Sequence, residues 1–185
     1  MTLLTSSKSI DYVNYRLGFK ADIPEHLYKA QTEFLKGVAF GQNPVIFIGS
    51  FPEYPIDDLY SYAIQQQRNQ ALSIVKDEYV YLRGLPTRKC IFETRNMYSH
   101  MHYIQGRRSV YMIACFIGKD QLTDDAFEVI VMVYNVVELP PILNSFEELP
   151  YSSTGTTNFY SDAQYEDGPG TIMAKKGLLD IGVGW

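Results

Sequence analysis

The side chains best placed for chemistry lie in "YSHMHY", residues 98–103, where His100 and His102 stand two apart. Residues i and i+2 of a β-strand share one face. The next strand-like run, "SVYMIACFIG", follows Gln105-Gly106-Arg107-Arg108. Gly106 at the first central position of a two-residue loop predicts a type II′ hairpin. That register sets Met101 opposite Met112, Tyr103 opposite Val110, His102 opposite Tyr111 and His100 opposite Ile113. It also puts Cys115 on the histidine face. Structural zinc takes four ligands and catalytic zinc three plus a water. No fourth ligand is evident, and the surroundings are aromatic and aliphatic. The reading favoured is a pair of half-buried strand histidines hydrogen-bonded to their neighbours, with no metal and no cofactor.

Nucleophilic chemistry would need Cys90 or Cys115 beside His26, His100 or His102. A reactive thiolate prefers a helix N-terminus or a cationic setting, whereas both cysteines fall in apolar strand-like runs. Lys89 precedes Cys90, but neighbours along a strand point to opposite faces. There is no G-x-x-x-x-G-K-[ST] phosphate loop, no G-x-G-x-x-G, no G-x-S-x-G and no H-E-x-x-H. "DAQYEDGPG" lacks the alternating ligands and late Glu of a calcium loop. A non-enzyme is expected.

The 185 residues carry a net charge of −5, which argues against general affinity for nucleic acid or anionic membranes. Six of the sixteen basic residues, Arg83, Arg88, Lys89, Arg95, Arg107 and Arg108, crowd into one stretch, either a docking patch or ordinary strand edges and turns. Two cysteines are too few for a secreted disulfide framework, so buried thiols are expected. The N-terminal stretch has no signal-peptide core, and no run reaches the length of a membrane span. The expected setting is a cytoplasm, an organelle interior or a large assembly such as a viral particle. The fifteen tyrosines suit half-wet surfaces of the kind that meet other proteins.

"IDYVNYRLGFKADIP" predicts two short strands around Gly18, ended by Pro24. Leu27, Ala30, Gln31, Phe34 and Leu35 recur near helical spacing until Gly37 and Gly41 cut it short. "PVIFIGSF" predicts a strand. A helix near 57–75 is predicted next, capped by Asp57, with the stripe Leu59, Ala63, Ala71, Ile74 and Val75. "DEYVYLRG" and "RKCIFETR" predict strands about a Gly84-Leu85-Pro86 turn. The hairpin is apolar on both faces, so helices should cover both sides of the sheet. The second cover is "TDDAFEVIVMVYNVVE", where Phe127, Ile130, Val131, Tyr134 and Val137 follow a helical stripe over 124–137. Pro140-Pro141 then ends the packed domain, giving a body of residues 1–139 and an extended arm of 140–185. The arm lacks periodicity but holds Phe146, Phe159, Tyr160, Tyr165 and Trp185.

This order resembles the PsbP-like fold, shared by the photosystem II extrinsic subunit PsbP, a Ran-binding nuclear import factor and adaptor chaperones of type VI secretion effectors. The likeness rests on "GFKADIP", "IDDLYSYA", "LRGLPTRKCIFE" and "SVYMIACFIGKDQLTDDAFEVIVMV". It implies an α+β sandwich, mainly antiparallel sheet flanked by helices. It also implies a non-catalytic protein that works by binding. The expected function is an accessory or structural subunit of a larger protein assembly, with partner-binding residues Phe159, Tyr160, Tyr165, Trp185, Arg107 and Arg108. An adaptor or chaperone for a cargo protein, or a phage or viral particle component, is the alternative. A metal or thiol enzyme built on His100, His102 and Cys115 stands third.

Overall fold

Strands buried at every position need cover on both faces, and two such strands set the architecture. The computed structural model describes residues 8–42, 44–122, 125 and 135–150. Among them the chain runs β1 (Ser9–Asn14), β2 (Phe19–Pro24), α1 (Glu25–Tyr28), β3 (Gln31–Glu33), β4 (Gly37–Phe40), β5 (Val45–Phe51) and α2 (Ile56–Gln67). It continues through β6 (Ser73–Leu82), β7 (Leu85–Glu93), β8 (Met97–Gln105), β9 (Val110–Gly118), α3 (Leu139–Ser145) and β10 (Glu147–Glu148). β5, "VIFIGSF", and β9, "VYMIACFIG", are buried throughout and lie side by side in a seven-stranded sheet of order β3-β4-β5-β9-β8-β7-β6. Every pairing in it is antiparallel. A three-stranded antiparallel sheet, β1-β2-β10, forms a second layer.

Period-2 alternation sorts the large sheet's side chains between two cores. Phe47, Phe92, Met101, Tyr103 and Met112 pack under Leu59 and Ala63 of α2. Ile46, Ile48, Ile113 and Cys115 pack against Phe19 and Ile23 of β2 and Ile142 of α3. The fold is α+β with mainly antiparallel sheet, as the sequence predicts. Among the described residues the second face is covered by the small sheet together with α3. Cys90 and Cys115 are free, buried thiols. Among the described residues no helix is long and apolar enough to cross a membrane.

Several predicted elements are corrected. Residues 25–41 form one helical turn and the β3–β4 hairpin. Ala39 faces the α2 core while Val38 and Phe40 face the other, so burial on two faces overrides a helical spacing. α2 ends at Gln67, followed by a 3-10 turn and a left-handed Ala71 at φ 54°. Ile74 and Val75, β-branched, belong to β6. Asp57 does not cap α2, which follows Pro55 without a side-chain cap bond. The β6–β7 turn is Arg83-Gly84, both at positive φ (51° and 83°), the geometry of a type I′ turn; Pro86 lies inside β7.

The β8–β9 loop holds four residues, 106–109, closed by the Gly106 N–H on the Ser109 carbonyl at 2.9 Å. The register is therefore two residues from that of a two-residue loop. His100 faces Cys115, His102 faces Ile113, Met101 faces Ala114 and Tyr103 faces Met112. Packing also continues past residue 139. Leu139–Ser145 is helical with Pro140 and Pro141 in its first turn, where a missing N–H is no loss. β10 then pairs with β2. Most of the predicted closing helix over 124–137, including Phe127, Ile130, Val131 and Tyr134, lies outside the described residues. So does the segment 151–185, with Phe159, Tyr160, Tyr165 and Trp185.

Candidate partner-binding surface

The histidine pair sits on the sheet face that carries Cys115, as predicted, and all three side chains are buried. Among the described residues no group of three or more His, Cys, Asp or Glu is placed to hold a metal. Burial pushes the His102 imidazole down to about 3, assisted by the charges of Lys89 and His100, with the Ile113 backbone opposing. His102 is thus neutral at pH 7. Burial likewise raises both thiols, Asp77 adding to the shift at Cys90 and Glu138 to that at Cys115. Raised thiols are poor nucleophiles.

Arg107 and Arg108 lie beside β10. Their backbone N–H groups donate to the Glu148 carboxylate at 2.8 and 3.2 Å. Successive amides aimed at one anion form a nest. The Arg108 guanidinium also donates to the Leu149 carbonyl. Arg83, at the β6–β7 turn, donates to the Asn144 carbonyl and pairs with Glu147 at 3.3 Å. These arginines fasten residues 144–149 to the body. Pro150 lines the same cleft.

The surface that sequence reasoning missed is centred on Arg88. Its guanidinium meets Asp77 through two hydrogen bonds at 2.9 and 2.8 Å and Asp57 at 2.9 Å. Its Cζ stacks 3.3 Å from the centroid of the Tyr60 ring. Tyr79 donates to Asp57 at 2.6 Å, and the Tyr60 hydroxyl hydrogen-bonds Asp77. β6 and β7 are thereby tied to α2. The Arg88 guanidinium beside Asp77 holds its carboxyl at about 2, below the ordinary 3.8. A depressed carboxyl contributes stability above its unfolded pKa and loses it as pH falls through the folded one. The expected acid loss therefore spans about pH 4 to 2, worth about 1 kcal/mol after solvent screening. Urea midpoints for wild type and Asp77→Asn should converge across that window; a constant gap would exclude the linkage.

Beside this hub runs the outer edge of the large sheet. Among the described residues β6 is terminal in the strand order and ten residues long, while the opposite edge, β3, has three. β6 exposes Tyr81 at 79%, Tyr79 at 65%, Ile74 at 49% and Val75 at 39%. A terminal strand presents a row of backbone donors and acceptors to another chain. A register shift between Ile74 and Lys76 and the charges of Lys76, Asp77 and Glu78 guard against indiscriminate pairing. The alternating tyrosines of "DEYVYLRG" were the available signal.

No family model matches this chain, and no curated protein matches it in sequence. Comparison of folds identifies the class. The solution structure of cyanobacterial PsbP (CyanoP) from Synechocystis sp. PCC 6803 matches with a TM-score of 0.53 at 9% identity, over 80% of this chain and 96% of that one. This chain has a PsbP-like fold. A Bacteroides thetaiotaomicron protein gives a TM-score of 0.42 at 14% identity, over 76% of this chain and 48% of that one. PA94 of Pseudomonas aeruginosa, a protein of unknown function, gives 0.37 at 15% identity, over 62% and 85%.

Proposed function

We propose that this protein is a non-catalytic accessory subunit of a larger protein assembly. It joins its neighbours through the β6 edge and through Phe159, Tyr160, Tyr165 and Trp185 of the segment beyond Pro150. The observation that carries this reading is the ten-residue β6, an edge strand of the large sheet among the described residues, with Tyr79 and Tyr81 exposed on it. A partner strand added there gains main-chain hydrogen bonds, and the alternate side chains supply selectivity. Exposed tyrosines bring large contact area at low entropy cost.

The test is a pair of lysines on the edge, Ile74→Lys with Tyr81→Lys, in the full chain expressed in its native source. Wild type should elute in a complex well above the 21.2 kDa of the single chain. The variant should keep the wild-type melting temperature yet lose partner affinity by about tenfold or more. Undiminished co-elution would show that the edge is not the link. Removal of residues 151–185 asks the same of Phe159, Tyr160, Tyr165 and Trp185. Fixed stoichiometry in the finished assembly separates a subunit from a chaperone that departs.

A further inference from the structure

The β6–β7 hairpin fixes which backbone groups of β6 face outward. Leu82 and Leu85 flank the two-residue turn Arg83-Gly84, and the pair flanking such a turn exchanges both of its N–H···O bonds. Alternation then makes Val80–Thr87 and Glu78–Lys89 bonded pairs as well. Pro86 has no N–H to give, and it falls opposite Tyr81, in a non-bonded pair as this phase requires. The N–H and C=O groups of Asp77, Tyr79 and Tyr81 therefore point away from β7. Among the described residues no strand lies on that side.

The side chains decide which strand fits there. Two copies of β6 related by a two-fold axis run antiparallel with like faces on the same side, and one residue meets its own counterpart. Lys76, Asp77 or Glu78 at that centre would set like charges directly opposite each other, which is destabilising. Val80 or Tyr81 at the centre would run part of β6 past the Arg83-Gly84 turn of the other copy. Tyr79 at the centre avoids both. Tyr79 then bonds Tyr79, and Asp77 bonds Tyr81 on either side of the axis, so all the outward groups are used. The register shift between Ile74 and Lys76 stays outside the new ladder. Across it Lys76 faces Leu82 and Glu78 faces Val80. Within each copy Arg88 neutralises Asp77 at 2.8 Å and Lys76 neutralises Glu78 at 3.1 Å. The Tyr79 hydroxyl is held by Asp57 at 2.6 Å, so the central ring is ordered before it meets its counterpart.

We propose that the partner of the β6 edge is a second copy of this chain, paired antiparallel about Tyr79, so that two seven-stranded sheets become one continuous sheet. This deepens the reading of β6 as a link and rests on it. The charges that guard the edge select this register, because each other charged residue brought to the axis would repel itself. The contact is one strand wide, at the small end of specific interfaces, so the dimer is reversible with a Kd on the order of 10 μM.

The experiment is sedimentation equilibrium of the purified full chain at concentrations from about tenfold below to tenfold above that Kd. The mass should rise from the 21.2 kDa of one chain toward twice that value. Tyr79→Pro removes an outward N–H and none of the β6–β7 bonds, and should weaken the dimer about tenfold or more. Tyr79→Cys reads the register. A bonded cross-strand pair sets its Cα atoms about 5.5 Å apart, within disulfide reach, so mild oxidation should yield a covalent dimer. Tyr81→Cys should not, since Tyr81 lies four residues along the strand from its own counterpart, about 13 Å. Cys90 and Cys115 are buried and do not compete. An unchanged dimer in Tyr79→Pro, or equal cross-linking of Tyr79→Cys and Tyr81→Cys, would overturn the assignment. A monomer at every concentration would overturn the self-pairing alone: the edge remains the link to a different protein if Ile74→Lys with Tyr81→Lys still loses the native complex, and undiminished co-elution of that variant removes the wider reading.

Discussion

Phe146→Ala is expected to cost about 3–5 kcal/mol, the range for deleting a buried ring. The ring is 3% exposed. It stacks on Phe19 with centroids 5.9 Å apart and planes at 25°. Its edge meets Tyr111 at 5.2 Å and 62°. Phe19 in turn touches Tyr12 at 5.9 Å, so one ring links α3 and β10 to both sheets. Truncation leaves a cavity that β2 and β9, each held by strand pairing, cannot close. The urea midpoint should drop by the corresponding amount, and the amide of Leu149, bonded to the Gly18 carbonyl at 2.8 Å, should exchange faster. Phe146→Leu should recover most of the loss, leaving about 1.5 kcal/mol or less. A Phe146→Ala protein within about 0.5 kcal/mol of wild type, inside the spread of a surface change, would remove Phe146 from the core.

That residue also marks the limit of what the sequence could reveal. Phe146 reads locally as an arm aromatic, because Pro140-Pro141 looks like a terminator. The same two prolines are compatible with a first helical turn, and only the apolar face of β2 decides that Ile142 and Phe146 turn inward. The strands were legible for the opposite reason. "VIFIGSF" and "SVYMIACFIG" are dense in residues that fit a pleated sheet covered on both sides, and no tertiary partner could have changed that. The length of α2 was not legible: Ala71, Ile74 and Val75 continue a helical stripe, yet Ile74 pairs with Phe92 across the β6–β7 ladder. The histidine face was read correctly through a wrong loop, since a shift of two residues preserves the side of the sheet while a shift of one reverses it. Arg107 and Arg108 were visible as a charged turn. Their contact with Glu148, some forty residues further on, was not, and neither was the Arg88 hub, whose partners come from α2 and β6. Local pattern reports faces; it does not report which distant carboxylate closes on which arginine.

The loop that set this register carries the second large expectation. Gly106→Val should cost about 3 kcal/mol, from overpacking together with a lost charged hydrogen bond. A Cβ at Gly106 would stand 2.4 Å from Glu148 Oε2, 2.8 Å from Tyr111 Cε2 and 2.9 Å from the Ser109 carbonyl oxygen. The carboxylate can swing aside, but that surrenders its bonds from the Arg107 and Arg108 amides. The Tyr111 ring cannot move, because its hydroxyl is tied to the Gly18 carbonyl at 3.1 Å and its body is fully buried. The Ser109 carbonyl is the acceptor that closes the loop. A double-mutant cycle separates these causes. Glu148→Ala alone removes only the nested carboxylate and should cost about 1.5 kcal/mol. In that background Gly106→Val should still cost about 2 kcal/mol, since the ring and the carbonyl remain. If the second cost vanishes instead, the carboxylate was the whole obstruction, and the close approach of the backbone to Tyr111 does not constrain the hairpin.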